Sequence, residues 1–383
     1  MKRYDTRITT VLSIGPIGFP LTGQACATET WFHNSKHKVV PINNNFEGMS
    51  NVARFLRSLA LPFLVLLETR RSHPEALYLS LKRSILGATA DLACVLVYRR
   101  LVAGPVVVHL HGADLATIRR NWLGNVIIRQ IWNNVTDVIL LSPAMSNQLT
   151  GLPEKRVSVV YNFSSEFSGA AAVEAKAERL LTEPLRVLYL SNIMFSKGFS
   201  YLIDAVHSVR AAGLPVTLTL AGHPLGDAIM TAEQARARLM EGLAEGITYV
   251  GTVHGSDKWA ALDAAHIIAL PTFYSIEAQP ISLIEGMAFG CIPLTTRHNF
   301  NEDFLDPNAT VFVEPKSSKS IAEALKAMVS DRGGMAARTR SAFAAGNNRH
   351  SLENFVNGID AVVEAALDKA PLRDQSTWKG DQH

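Results

Sequence analysis

Short apolar runs alternate with longer segments of helical periodicity along most of the chain. Apolar runs of about four to eight residues are typical of buried parallel strands, and apolar spacings of three and four are typical of helices. This alternation predicts an α/β protein with doubly wound parallel sheets. The first-half strands are predicted at ITTVLSIG, KVVPIN, PVVVHLHGAD, DVILLSP and VSVVYNF, and the helices at roughly 23–33, 50–68, 82–102, 115–134 and 143–150.

The same alternation starts again after residue 184, and 383 residues exceed the size of one ordinary core. We therefore predict an N-terminal domain at 1–163 and a second domain at 185–345. Residues 164–184, which combine small residues with a short alanine-rich helix, are predicted to connect them. A last helix at 350–368 and a disordered tail at 370–383 complete the prediction. The second-half strands are predicted in LRVLYLSN, VTLTLAGHPLGD, ITYVGTV, IIAL, CIPLTT and TVFVEP.

The stretch from the IIAL strand to CIPLTT carries the clearest candidate chemistry. Pro280 is suited to begin a helix, Gly290 to end it, and the two acids Glu277 and Glu285 fall in the preceding loop and inside the helix. Free amides at such a helix start form an anion site at the carboxyl edge of a parallel sheet. Two acids beside an anion site suit a nucleotide-sugar. The alternative is a solvated loop acid and a surface acid of an amphipathic helix.

Glu277 and Glu285, with seven residues between them in IEAQPISLIEGMAFG, resemble the paired-glutamate signature (EX7E) of retaining glycosyltransferases of family 4. The resemblance extends from about residue 10 to 330. It implies a GT-B fold, in which two Rossmann-like domains face a central cleft, with the acceptor on the N-terminal side. It also implies transfer of a sugar, with retention, from a nucleotide-diphosphate donor to a hydroxyl of a glycan or lipid-linked glycan, as in exopolysaccharide or lipopolysaccharide synthesis.

The resemblance also implies roles for the residues of this stretch. Glu277 would hold the donor sugar and favour positive charge on its ring, so it is a predicted catalytic residue. Glu285 would bind the ribose hydroxyls. The other donor-binding positions implied around the helix start are Gln279, Pro280, Ile281 and Ser282.

A second motif, LSNIMFSKGF, lies between a predicted strand and a predicted helix. Lys197 can reach a phosphate from such a loop, and Gly198 allows a tight turn. The string resembles the diphosphate-binding motif of the family, but Asn192 stands where an arginine is usual. Donor binding must then depend more on backbone amides or another cation. The alternative is an ordinary surface lysine.

PVVVHLHGAD places His109 and His111 on the same face at the carboxyl end of a strand. A metal site would have only Asp114 as a nearby third ligand, and a structural histidine is the alternative for His109. The HLHG string resembles the first-domain histidine region of the family. That match makes His111 a predicted catalytic residue that hydrogen-bonds a sugar hydroxyl or phosphate rather than acting as a base.

Three further donor-binding positions are implied by weaker matches. Gly18 lies in GPIGFPLTGQ, a glycine-rich turn without dinucleotide-binding spacing, and a plain βα turn is the alternative. Gly251 and Thr252 would lie against the nucleobase. Asn162 resembles an asparagine at the border between the family's domains, although a turn role is equally compatible.

Charge is distributed unevenly along the chain. Residues 1–163 carry 18 Lys+Arg and 9 Asp+Glu, whereas residues 164–383 carry 19 and 25. No recognition motif for nucleic acid accompanies the basic half, so an anionic membrane surface is the predicted partner. The helices at 50–68 and 82–102 are either core helices with solvated basic faces or elements exposed to a bilayer. The basic residues concerned are Arg54, Arg57, Arg70, Arg71, Lys82 and Arg83.

Compartment and cofactors follow from what the chain lacks. It has no run of roughly 20 apolar residues, and its start lacks the apolar core and cleavage site of a signal peptide. Three cysteines without metal spacing suit a reduced compartment. We expect a cytoplasmic protein, peripheral on the inner face of the membrane, that uses a UDP- or GDP-sugar without metal or cofactor. The rivals are a nucleotide-sugar epimerase of the same fold and a non-catalytic nucleotide-sugar-binding module.

Overall fold

A computed structural model describes residues 8–18, 23–46 and 48–369. The chain divides into two units. The first comprises the chain up to Val160 together with the chain from Phe355 onward, and the second comprises Tyr161–Asn354. The tail predicted at 370–383 lies outside the described residues.

The first unit is built on a parallel sheet with six strands in the described part of the chain. Its order is β2-β1-β3-β4-β5-β6, so the order reverses between β1 and β3. The four inner strands, β1, β3, β4 and β5, are buried on both faces, which explains their nearly continuous apolar sequences, whereas the edge strands β2 and β6 are partly exposed. The strands are β1 (Thr10–Gly15), β2 (Lys38–Asn43), β3 (Ala76–Ser80), β4 (Val106–Leu110), β5 (Asp137–Leu140) and β6 (Arg156–Val159).

The helices of this unit begin at side-chain caps that the sequence supplies. Ser50 and Ser84 each accept a backbone N–H from the first turn of the helix that follows. The helix predicted at 115–134 is two helices, because Asn121 adopts an extended backbone conformation and caps the second of them. The helices are α1 (Gly23–Asn34), α2 (Asn51–Ser72), α3 (Ile85–Leu101), α4 (Leu115–Arg120) and α5 (Trp122–Asn134), with a 3₁₀ segment at Pro143–Leu149 in place of the helix predicted at 143–150.

The last helix, α14 (Leu352–Asp368), is anchored in the first unit by one buried carboxylate. Asp360 accepts hydrogen bonds from Trp31 Nε1 at 2.8 Å, from Ser35 Oγ at 2.6 Å and from the backbone N–H of Lys36 at 3.1 Å. Hydrogen bonds to a charged group are stronger than neutral ones, so this cluster ties the end of the described chain to α1.

The second unit also contains a parallel sheet, with six strands among the described residues in the order β12-β11-β10-β7-β8-β9. This is the Rossmann order, and it reverses between the adjacent strands β7 and β10. Ligands bind at such a switch point, outside the carboxyl ends of the strands. The strands are β7 (Leu185–Leu190), β8 (Val216–Ala221), β9 (Ile247–Tyr249), β10 (Ile267–Leu270), β11 (Ile292–Thr296) and β12 (Val311–Val313).

Residues 164–184, expected to connect two domains, are part of the second unit. Their helix contributes the buried Lys176, whose Nζ donates to the carbonyl oxygens of Leu262 at 2.8 Å and Phe289 at 2.7 Å. A helix at 332–349 was not predicted. The helices are α6 (Ala170–Thr182), α7 (Phe199–Ala211), α8 (Ala232–Glu241), α9 (Gly255–Ala264), α10 (Ile281–Ala288), α11 (Asn301–Phe304), α12 (Ser318–Ser330) and α13 (Arg332–Arg349).

None of the helices described within residues 8–18, 23–46 and 48–369 is long and apolar enough to cross a bilayer.

Candidate functional site

Two loops meet at the switch point of the second sheet, one following β7 and the other following β10. The backbone N–H of Phe273 donates to the carbonyl oxygen of Ser196 at 2.8 Å and joins them. Gly198 lies where the loops are closest, with φ +83°, and a Cβ there would be 2.2 Å from the carbonyl oxygen of Pro271. Only glycine satisfies both the positive φ and the close approach.

The contact between the loops brings two predicted site residues together. Lys197 Nζ lies 3.1 Å from Glu277 Oε2, and each side chain is only 15% exposed. Lys197 also donates to Ser191 Oγ at 3.0 Å. Glu277 Oε2 is buried and accepts no well-aligned hydrogen bond, so its contact with Lys197 is an ion pair. The pair therefore offers a cation and an unused acceptor at one edge of the sheet.

The loop that carries Glu277 is held by a segment for which no site role was predicted. Asn299, at φ +48°, donates from Nδ2 to the carbonyl oxygens of Ser275 at 3.2 Å and Glu277 at 2.6 Å. The ring Nε2 of His298 lies 3.0 Å from the carbonyl oxygen of Tyr274. These bonds fix the backbone on both sides of the glutamate.

Helix α10 begins directly after this loop. Pro280 is its N-cap residue, with φ −63°, and no side chain caps the first turn in this described segment. Ile281 and Ser282, in that turn, are half-buried. Because the first amides of a helix have no intrahelical acceptor, this end is suited to an anion.

Glu285 lies one turn into α10 and is paired with a residue that the sequence analysis missed. Lys258 Nζ of α9 lies 2.6 Å from Glu285 Oε1, with the two side chains 23% and 10% exposed. Burial raises the pKa of Glu285, and the Lys258 charge and hydrogen bond partly offset that rise. Lys258 also lies over the ring of Trp259, 4.0 Å from its centroid. No spacing in the sequence links α9 to α10, so only the fold reveals the pair.

Gln279 has a structural partner within the second unit. Its Oε1 accepts the backbone N–H of Asn162, and its carbonyl oxygen accepts Asn162 Nδ2 at 3.1 Å. The carbonyl oxygen of Asn162 lies 2.8 Å from His350 Nδ1. Burial lowers the pKa of His350 to about 4, although its hydrogen bonds to backbone carbonyls act in the opposite direction. Asn162 and Gln279 thus fix the start of α10 against the rest of this unit.

The remaining predicted positions of this unit lie at the ends of β7, β8 and β9. Asn192 is exposed, and its carbonyl oxygen accepts the hydroxyl of Tyr189 at 2.9 Å. Gly222 donates its N–H to the carbonyl oxygen of Gly251 at 2.8 Å, and its own carbonyl oxygen accepts a bond from the Tyr249 hydroxyl. Thr252 follows as an exposed residue. The donor-binding roles of Asn192, Gly251 and Thr252 stay predictions.

In the first unit, His109 and His111 stack at the end of β4 with ring centroids 3.9 Å apart. The Tyr78 hydroxyl lies 2.7 Å from His109 Nδ1. Burial, reinforced by the Arg83 charge, lowers the pKa of His111 to about 3, so its ring is neutral near pH 7. Burial raises the pKa of Asp114, which Arg83 partly offsets.

His111 Nε2 is buried and lacks a hydrogen-bond partner within the described structure.

Gly18 has φ +77° and open space around its Cα, and its N–H donates to Glu29 Oε2 at 3.3 Å. Within residues 8–18, 23–46 and 48–369, no group of three or more His, Cys, Asp or Glu is arranged to hold a metal ion.

Comparison with known proteins finds a family match over part of the chain. Residues 172–346, which lie in the second unit, match the family model for glycosyl transferases group 1. A glycogen synthase of Mycobacterium tuberculosis is 24% identical over 254 residues. That match covers 62% of this chain and 58% of the synthase, so the chain spans little more than half of the relative's length.

Solved structures share the fold at low sequence identity. Sucrose-phosphate synthase from Thermosynechococcus elongatus matches with a TM-score of 0.71 and 14% identity, over 94% of this chain and 99% of that one. Anabaena Alr3699/HepE in complex with UDP-glucose matches with a TM-score of 0.69 and 15% identity, over 93% and 100%. The predicted fold class is therefore confirmed: the chain has two Rossmann-like parallel-sheet α/β domains, as GT-B glycosyltransferases have.

Proposed function

We propose that this chain is a retaining glycosyltransferase that moves a sugar from a UDP- or GDP-sugar to a hydroxyl of a glycan or lipid-linked glycan. The observation that carries the proposal is the pair of Lys197 and Glu277 at the switch point of the second sheet. One residue offers a cation for phosphate and the other an acceptor for sugar hydroxyls. The group 1 domain at 172–346 and the UDP-glucose complex of Anabaena Alr3699/HepE support a nucleotide-sugar donor.

The diphosphate has two sources of positive potential in this arrangement. Lys197 reaches it as a point charge, and the first amides of α10, at Ile281 and Ser282, donate hydrogen bonds to its oxygens. The leaving nucleotide carries increasing negative charge in the transition state, and preorganised donors stabilise that charge without reorganisation. The proposed reaction therefore uses no metal ion.

The two glutamates have different environments and different proposed roles. Glu285, buried and paired with Lys258, accepts hydrogen bonds from the ribose hydroxyls. Glu277 accepts a hydroxyl of the donor sugar and stabilises positive charge on its ring. Glu277 is held beside Lys197, which makes it a poorer nucleophile than a free carboxylate. We therefore propose front-face attack by the acceptor, assisted by the leaving phosphate, rather than a glycosyl-enzyme intermediate.

His111 is proposed to hydrogen-bond a sugar hydroxyl or phosphate of the substrate. Its low pKa keeps the ring neutral, and its buried Nε2 has no partner among the described residues. A neutral imidazole donates or accepts a hydrogen bond but is a weak base under these conditions. The basic residues of 1–163 support an acceptor at the anionic inner face of the cytoplasmic membrane.

The proposal is tested by screening UDP- and GDP-sugars for thermal stabilisation and then measuring transfer to a membrane extract. Glu277→Gln and Lys197→Met should each lower turnover about ten- to a hundred-fold or more, because each removes a charge-assisted interaction. Lys319→Met is the matched control, since Lys319 forms an exposed ion pair with Glu323 on α12. That control should retain full turnover.

Four outcomes would contradict the proposal. Wild-type turnover in both site variants would remove the assigned roles of Lys197 and Glu277. Epimerised sugar formed from donor alone would indicate an epimerase, and donor binding without hydrolysis or transfer would indicate a binding module. Inversion at the anomeric carbon of the product, read by NMR, would exclude the retaining mechanism.

A further inference from the structure

Helix α2 in the first unit buries a mixed face and exposes an apolar one. Its buried residues are Ser58, Leu61, Val65 and Thr69, so half of the face against the unit is hydroxyl-bearing. Its outer face carries large apolar side chains that are 45–69% exposed: Val52, Phe55, Leu56, Leu59, Phe63, Leu64 and Leu67. A helix of a soluble protein usually has the reverse arrangement. The sequence left open whether this helix is a core element, and the structure exposes it.

The exposed residues form one continuous stripe. Positions 52, 55, 56, 59, 63 and 67 recur at intervals of three and four residues, which places them on one side of a helix. The helix has 22 residues and is therefore roughly 33 Å long. A contiguous apolar surface of this length on a protein marks an interaction site for a protein or a membrane.

The charged residues of α2 favour a membrane over a second copy of this chain as the partner of the apolar stripe. Arg54, Arg57, Arg70 and Arg71 are exposed on α2, and Glu68 is the only acid in the helix sequence. In a symmetric pair of copies joined through this stripe, Arg70 and Arg71 of both copies, which continue the stripe three and four residues after Leu67, would be covered with few acids to balance them. An anionic bilayer instead offers apolar chains to the stripe and phosphate oxygens to the guanidinium groups.

We propose that α2 lies in the plane of an anionic phospholipid bilayer, with its outer apolar face inserted at the boundary between headgroups and acyl chains. Arg70 and Arg71, at the C-terminal end of the stripe, bind the lipid phosphates. This inference rests on the proposed function. It adds the surface through which the enzyme reaches a lipid-linked acceptor. The binding itself is measured without any transfer reaction.

The test is flotation of the full chain with vesicles of phosphatidylcholine alone or with phosphatidylglycerol added. Wild-type protein should float with the anionic vesicles and be released by high salt. The triple variant Leu56→Gln/Leu59→Gln/Phe63→Gln should lose at least about ten-fold in partitioning, because insertion scales with buried apolar area. These side chains are exposed, so the variant should keep the wild-type unfolding midpoint.

A matched triple variant controls for general surface polarity. Leu181→Gln/Ile229→Gln/Met240→Gln replaces three exposed apolar residues of the second unit, 42–59% exposed, and should float like wild type. Arg70→Gln/Arg71→Gln should weaken binding about five-fold per arginine and reduce the salt dependence, since each basic residue contributes about 1 kcal/mol at such a surface.

Equal flotation of the two triple variants would overturn the proposal. So would a lipid-free wild-type dimer that the α2 variant converts to monomer, because a second copy would then cover the stripe. Stabilisation by UDP- or GDP-sugars is measured in parallel on the same proteins. Loss of flotation with intact donor binding supports the α2 surface, whereas flotation without donor binding leaves that surface standing and contradicts the proposed function.

Discussion

Replacement of Lys258 by methionine removes the cation beside Glu285 and keeps a side chain of similar length. In the wild-type protein, Lys258 Nζ and Glu285 Oε1 are 2.6 Å apart, and the glutamate side chain is only 10% exposed. The variant leaves that carboxylate in a buried position without its partner. Loss of one member of a buried pair is destabilising because the remaining charge is uncompensated.

The magnitude follows from the kind of interaction that is lost. A hydrogen bond to a charged group contributes about 1.5–3 kcal/mol, and the lower end is expected because Lys258 is 23% exposed. Burial already raises the pKa of Glu285 above its ordinary 4.5, and removal of Lys258 raises it further. The folded protein then holds the proton more tightly than the unfolded chain. The contribution of Glu285 to the free energy of unfolding is therefore largest below pH 4.5 and falls as pH rises through its folded-state pKa.

The assay is urea unfolding at pH 5 and pH 8. Lys258→Met should lose more of its unfolding free energy at pH 8, where the unpaired carboxylate must ionise, than at pH 5. The double variant Lys258→Met/Glu285→Gln should recover most of that loss, because a neutral amide needs no cation. Lys319→Met, at an exposed ion pair, is the control and should match wild type at both values.

Two results would refute this reasoning. One is an equal loss for Lys258→Met at both pH values, which would mean that cavity formation rather than charge is responsible. The other is a double variant no more stable than Lys258→Met. Calorimetric titration with UDP adds a functional measure. If Glu285 has its proposed ribose-binding role, binding to Lys258→Met should strengthen as pH rises, since only the ionised carboxylate can accept both ribose hydroxyls.

Three further predictions concern stability. Gly198→Ala should lower the melting temperature more than Gly213→Ala, because both glycines have positive φ but only the first faces a carbonyl 2.2 Å from the added Cβ; equal shifts would contradict this. Acidification from pH 7 to 5 should cost about 2 kcal/mol through His350, whose folded-state pKa of about 4 lies below that of the unfolded chain, and His350→Gln should flatten the urea-midpoint profile. Asp360→Ala should cost about 3 kcal/mol of unfolding free energy by removing three hydrogen bonds, whereas the exposed Asp368→Ala should cost nothing measurable.

Most strands of the fold could be predicted from apolar runs, and the bounds at 38–43 and 267–270 agree with the structure. The strand at 76–80 was missed because ALYLS lies between two helices of similar composition and has no turn signal of its own after it. The helix at 332–349 was missed because its arginine, alanine and glycine content produces little apolar periodicity. In both cases burial by the neighbouring elements, rather than local pattern, decides the structure.

The site could be predicted where chemistry follows directly from a strand end. Lys197 and Glu277 were assigned from separate motifs, and the parallel order of β7 and β10 brings them within 3.1 Å. Lys258 and Asn299 were not assigned, because their contacts join elements that no spacing rule relates. Gln279 was predicted to bind the donor, and in the structure its side-chain oxygen accepts the backbone N–H of Asn162. Sequence motifs therefore indicate candidate ligand-binding side chains more readily than the residues that position those side chains.

The amine of Lys176 has a practical consequence for dividing this protein into parts. Its helix precedes the first strand of the second sheet, yet it supplies hydrogen-bond donors to the chain near the ends of α9 and α10. A fragment that begins at Leu185, where the Rossmann pattern starts, would remove the charged donor from both carbonyl groups and leave that of Leu262 only the weak Cys291 thiol as a donor. A fragment for separate expression of the second unit should therefore begin upstream of Ala170. The first strand of the second sheet is a poor guide to the boundary of this unit.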